Sequence, residues 1–151
     1  MKSLGLGIES DLGNVNLVAV ATNRVCRELG LDESRAGQIE LCVAEAATNA
    51  IRHAYQGQPG HLVEVRLSAS HEELQVEVID RGTPMPLKHQ QALLKGSKPF
   101  DVPPADLRSL AEGGRGLQII FELMDKVSYV SGEANNRLIM TKRLPANSTM
   151  S

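Results

Sequence analysis

Three short stretches of the chain carry residue types at spacings that suit chemistry. The first lies within ELCVAEAATNAIRHAY, residues 40–55. At about 100° per residue, Glu45, Asn49 and Arg52 fall in a narrow arc of a helix, opposite the apolar Ile39, Val43, Ala46, Ala50 and Ala54. A carboxylate, a carboxamide and a guanidinium in one column suit a proton, a hard metal ion and a phosphate oxygen, respectively. An ordinary amphipathic helix with a solvated polar face has the same pattern. Asn49 speaks against that plainer reading, because asparagine is a mediocre helix former in mid-helix.

The second stretch is Asp80-Arg81-Gly82, at the end of an alternating apolar run. A carboxylate at a strand terminus beside glycine is well sited to reach into a cleft, although turn aspartates look alike. The third is Gly113-Gly114-Arg115-Gly116, directly ahead of the apolar pattern Leu117, Ile120, Phe121, Met124. Glycines before a helix leave backbone N–H groups open to a phosphate at the positive end of the helix dipole. The string lacks the Lys-Ser/Thr of a P-loop and is a weaker signal on its own.

The elements that must position these residues follow from periodicity. Leu4, Leu6 and Ile8 alternate as a short strand ending near Ser10, and residues 14–29 have helical spacing closed by Gly30. Asp32 or Ser34 caps the helix that carries Glu45 and Asn49, and Gln56-Gly57-Gln58-Pro59-Gly60 breaks it. Residues 62–68 and 74–79 alternate as a hairpin turning at His71-Glu72-Glu73. Residues 85–112 show no convincing period and hold four of the seven prolines. A helix over 105–111 interrupts this loop, which has the length of a lid or binding loop. Residues 127–130 and 137–144 read as a closing strand pair joined by a Ser-Gly-Glu-Ala-Asn-Asn turn. The expectation is one domain over 1–145 and a flexible tail over 146–151.

Composition narrows the classes of function. With 151 residues, 42% hydrophobic and 23% charged, the chain is long enough to bury a core. Its formal charge of −2 gives no global reason to bind nucleic acid directly, and four aromatic residues without tryptophan make base-stacking platforms hard to build. Cys26 and Cys42 both sit in apolar helical patterns, which suggests buried, reduced thiols. No apolar run approaches the roughly 18 residues of a membrane span, so a cytoplasmic protein without membrane contact is expected.

Taken in order, Glu45-xxx-Asn49 on a helix, Asp80-x-Gly82 after a strand and Gly114-Arg115-Gly116 after a proline-rich loop resemble the three boxes of the GHKL (Bergerat) ATP-binding fold. Histidine kinases, gyrase and MutL share that fold. Within it, AEAATNAIRHAY, VIDRGTPMP, KPFDVPP and GGRGLQIIFELMDKVSY resemble the bacterial anti-sigma factor serine/threonine kinases. The resemblance implies an α/β (α+β) two-layer sandwich, with a mixed, mostly antiparallel sheet and helices on one face. It implies that Asn49 holds Mg2+, that Glu45 is the general base toward the phosphorylated serine or threonine, and that Asp80 reads adenine beside Gly82. Gly114 and Gly116 would form the phosphate-binding turn, with Arg52 and Arg115 near phosphate oxygens, and His53 would pack locally. It further implies Mg-ATP as cofactor, a sequestered sigma factor, an anti-anti-sigma (STAS) protein as substrate, a homodimer and a bacterial cytoplasmic location. A GHKL module that binds ATP without phosphotransfer is the competing reading. A detached histidine-kinase catalytic domain would need a phospho-acceptor histidine upstream, and none of His53, His61, His71 and His89 precedes the ATP-site helix.

Overall fold

Alternation of apolar and polar residues along three strands builds a one-sided sheet. In a computed structural model that describes residues 2–94 and 113–145, β1 (Lys2–Glu9), β2 (Leu62–Ala69), β3 (Glu73–Asp80), β4 (Lys126–Ser131) and β5 (Asn136–Arg143) form a sheet of order β1-β2-β3-β5-β4. Every neighbouring pair runs antiparallel, so the mixed component expected from the sequence is absent from this five-stranded sheet. Val63, Val65 and Leu67 of β2, Leu74, Val76 and Val78 of β3, and Leu138 and Met140 of β5 are buried on one face. Glu64, Arg66, Glu77 and Arg137 alternate with them on the other face and form the Arg66–Glu64 and Arg137–Glu77 ion pairs. Such half-exposed pairs add little stability; the buried face holds the sheet.

Helices cover that face. A 3-10 turn (Leu12–Asn14) leads into α1 (Val15–Glu28), and Gly30, at φ 96°, ends it as expected. Asp32 caps α2 (Glu33–Asn49) by accepting the Arg35 N–H at 2.7 Å. Ile39, Val43 and Ala46 of α2 are almost wholly buried, as the apolar stripe requires. The loop after β3 contains α3 (Leu87–Leu94), which the sequence reading did not anticipate. After it comes α4 (Gly113–Leu123), which packs on α2 and buries Leu117 and Ile120. Lys142 Nζ donates to the Leu123 carbonyl at 2.5 Å, placing a cation at the negative end of α4. The helix expected over 105–111, most of the lid and the tail over 146–151 lie outside the described residues. No helix among the described residues is long and apolar enough to cross a membrane.

One feature of α2 departs from the simple helical pattern. Its last turn, Ala50–Ala54, is a π-helix, with the Tyr55 N–H donating to the Ala50 carbonyl at 3.0 Å. The wider turn changes the angular step after Asn49 and so redistributes which side chains share its face.

Cys26 and Cys42 are 0% and 1% exposed, and burial pushes each thiol up to about 12. Reaction with an aromatic disulfide reagent near pH 8 should therefore be negligible in the native chain and should reach both thiols after denaturation. Rapid labelling of either in the folded protein would contradict this packing.

Candidate functional site

The π turn, the end of β3 and the start of α4 converge on one point. The Ala54 carbonyl accepts the Thr83 N–H at 2.9 Å. A Cβ at Gly82 would stand 2.3 Å from that same oxygen, so only glycine lets the segment after β3 lie against the helix end. Tyr55 fastens the junction from the other side. Its hydroxyl donates to the Leu62 carbonyl at 2.6 Å and accepts the Arg81 N–H at 2.8 Å, while its ring stacks on His61 with centroids 4.6 Å apart.

The first and third sequence motifs meet at Gly116. A Cβ there would lie 2.8 Å from Glu45 Oε2 and 3.1 Å from Asn49 Nδ2. The backbone of α4 thus rests directly on the column of α2 that carries both side chains. Gly113, Gly114 and Gly116 fall inside the first turn of α4, not ahead of it as the sequence suggested. Their N–H groups remain among those without an intrahelical partner, so the site keeps its capacity for an anion. Among the described residues, neither the Glu45 carboxylate nor the Asn49 carboxamide has a hydrogen-bond partner, and both are half-buried.

Beside this contact lies a cavity of about 140 Å³ lined by Asn49, His53, Asp80, Met85, His89 and Tyr129, with Ala50, Val78, Leu117 and Leu138 supplying apolar walls. Asp80 is 9% exposed. Its Oδ1 accepts from Asn136 Nδ2 at 2.8 Å and from the Gly82 N–H at 3.0 Å, and its Oδ2 has no partner among the described residues. Burial raises the Asp80 carboxyl above its ordinary pKa, while the two hydrogen bonds pull it down. The result is a small, mostly apolar slot with one unsaturated acceptor on a lining residue, suited to a flat ring that carries an amine. Tyr129 braces the wall, its hydroxyl accepting the Met85 N–H at 2.8 Å.

Glu45, Asn49, Asp80, Gly82 and Gly116 are therefore assembled in one place, with Gly114 in the adjoining helical turn. Arg52 is exposed and does not line the cavity. The π turn gives that position to His53, one residue later. The Arg115 side chain lies outside the described residues. Sequence reasoning missed Asn136, Tyr55 and His89. By sequence Asn136 reads as part of a polar turn, and only the register Asp80↔Asn136 sets it beside the carboxylate.

Comparison with known proteins identifies the family. Residues 8–142 match the histidine kinase-like ATPase domain family. The serine-protein kinase RsbW of Bacillus pumilus is 31% identical over 132 residues, covering 86% of this chain and 78% of that protein. The Bacillus subtilis RsbW is 29% identical with the same coverage. Among solved structures, the RsbU and RsbW domains of a Mycobacterium tuberculosis protein superpose with a TM-score of 0.62 at 15% identity, over 97% of this chain and 34% of that one. The SiaB–SiaC complex of Pseudomonas aeruginosa gives 0.60 at 12% identity, over 92% and 88%. At those identities the superpositions speak for the fold alone. Family match, relatives and site geometry together place the chain in the histidine kinase-like ATPase domain family, within its branch of RsbW-type serine-protein kinases.

Proposed function

We propose that this chain is an ATP-dependent protein serine/threonine kinase that also sequesters a sigma factor and phosphorylates an anti-anti-sigma partner of the STAS type. The observation that carries this reading is the contact of Gly116 with both Glu45 and Asn49, next to a cavity that Asp80 lines. Adenine would enter the apolar slot with its exocyclic amine on Asp80 Oδ2, and the phosphates would run toward the first turn of α4.

The donor set fits a nucleotide-borne magnesium ion. Among the described residues no group of three or more His, Cys, Asp or Glu side chains could hold a metal unaided. Mg2+ retains waters and takes few protein ligands when phosphates supply the rest. Asn49 is the residue to hold it, and when bound it would neutralise charge on the transferring phosphoryl group. Glu45 lies one helical turn away, where its unpartnered carboxylate can take the proton from a substrate hydroxyl. A binder that transfers no phosphate has no use for that base. The serine-kinase reaction is supported by the kinship with proteins named serine-protein kinase RsbW, whereas the sigma factor and the homodimer are proposed from the resemblance of the sequence motifs.

Three substitutions test the roles separately. Glu45→Ala should lower transfer of labelled phosphate to an anti-anti-sigma substrate by about a hundredfold or more, within the range for general bases, with ATP affinity nearly unchanged. Equal labelling by variant and wild type would remove Glu45 from the base role, and no labelling by either would favour the binding module. Asn49→Ala should weaken Mg-ATP far more than metal-free ATP, as read by calorimetry; equal losses would end the metal assignment.

Asp80→Asn separates function from stability. Because the folded pKa of Asp80 lies above its unfolded value, the native state holds the extra proton. Stability therefore falls as pH rises between the two values and stays lowered above them. Removing the charge should leave the melting temperature at pH 7.5 unchanged or higher while ATP affinity drops by about tenfold or more. A large loss of stability would make Asp80 a structural residue instead.

A further inference from the structure

Three strands end on one cross-strand row. The register pairs Asp80 of β3 with Asn136 of β5, and Asn136 with Ser131 of β4. Along that row the Ser131 hydroxyl donates to Asn136 Oδ1 at 2.8 Å. The Asn136 amide donates to Asp80 Oδ1 at 2.8 Å and to the Gly82 carbonyl at 2.9 Å. Asn136 is 3% exposed and every polar atom of its carboxamide is used. Two acceptors on one side and a hydroxyl donor on the other fix the amide in a single orientation, since a flip would set its oxygen against the carboxylate. Asp80 Oδ1 is saturated by Asn136 and the Gly82 N–H, so the carboxylate cannot rotate without breaking both bonds.

We propose that Asn136, itself oriented by Ser131, is a positioning residue that presents Asp80 Oδ2 as a fixed lone acceptor and so makes the cavity select a 6-amino over a 6-oxo purine. The inference rests on the cavity being a nucleotide site. A 6-amino group donates to Oδ2, whereas a 6-oxo group would face it as a second acceptor, leaving both unpaired in an apolar slot. If the amide were lost, the carboxylate could turn. It would also be protonated more readily, because a bond that favours its charged form is gone. A protonated Asp80 donates, which suits the 6-oxo purine.

The test measures binding of ATP and of inosine triphosphate by wild type, Asn136→Ala, Asn136→Thr and Ser131→Ala between pH 6 and 8. Tyr55, Arg81, Tyr129, His53 and His89 surround Asp80 in all four proteins, so differences between them at matched pH isolate the amide. In Asn136→Ala, ATP affinity should fall by about tenfold, preference for ATP over inosine triphosphate should shrink, and the fall in ATP affinity on acidification should begin at higher pH. Asn136→Thr, which keeps a short donor, should recover part of the preference, and Ser131→Ala should show a weaker form of the same change. Should Asn136→Ala fail to fold, Ser131→Ala and Asn136→Thr still decide the matter. Equal loss for both nucleotides with an unchanged pH profile would mean that Asn136 only supports the fold, which overturns the proposal. Binding of neither nucleotide by the wild type would overturn the nucleotide reading itself.

Discussion

A single backbone oxygen, that of Ala54, is the contact on which the site depends. It accepts the Thr83 N–H and lies so close to Gly82 that no side chain fits between them. Through that contact the C-terminal end of α2, with Asn49 and Glu45, is held at a fixed distance from the end of β3, with Asp80. The π turn at Ala50–Ala54 is what aims the carbonyl there. A regular α-helix would have carried on in another phase, and π turns recur where a helix is bent to a task at the expense of hydrogen-bond geometry. The contact is short, made of backbone and buffered by Tyr55, so the spacing between the end of α2 and the end of β3 does not rest on flexible side chains.

Much of this was legible before any coordinates. The strand alternation in 62–68 and 74–79 needed only period-two burial, and the apolar stripe of α2 needed only its 100° step, because burial on one face is a strong and local constraint. Gly30 and the breaker cluster at 56–60 were readable for the same reason: their backbone conformations exclude most side chains, and Gly30, Gly57 and Gly60 do have positive φ. The site motifs were found because carboxylate, carboxamide and glycine at those spacings are poor choices for mere solubility.

What stayed hidden depended on register or on backbone irregularity. Nothing in Ser131-Gly132-Glu133-Ala134-Asn135-Asn136 distinguishes the last asparagine from its neighbours until β5 is laid beside β3. The π turn has no sequence signature of its own, so Arg52 was stacked with Asn49 where the fold instead directs His53 to the cavity. The helix at Leu87–Leu94 was lost among prolines, which weigh against periodicity on either side of it. A parallel component in the sheet was expected through kinship and not through pattern, and the antiparallel registers corrected it.

The strand order also determines when the cavity can exist during folding. The β2–β3 hairpin closes a short loop and can form early, as can β4–β5, but β3 meets β5 only by bridging the whole segment from residue 80 to residue 136. The wall at Leu138 and the tether on Asp80 come from that late, long-range pairing. Chains that have collapsed around α2 without docking β5 would therefore carry Glu45 and Asn49 yet have no seat for a base. A nascent or partly opened molecule would be blind to its ligand, and binding would report that the last strand has found its place.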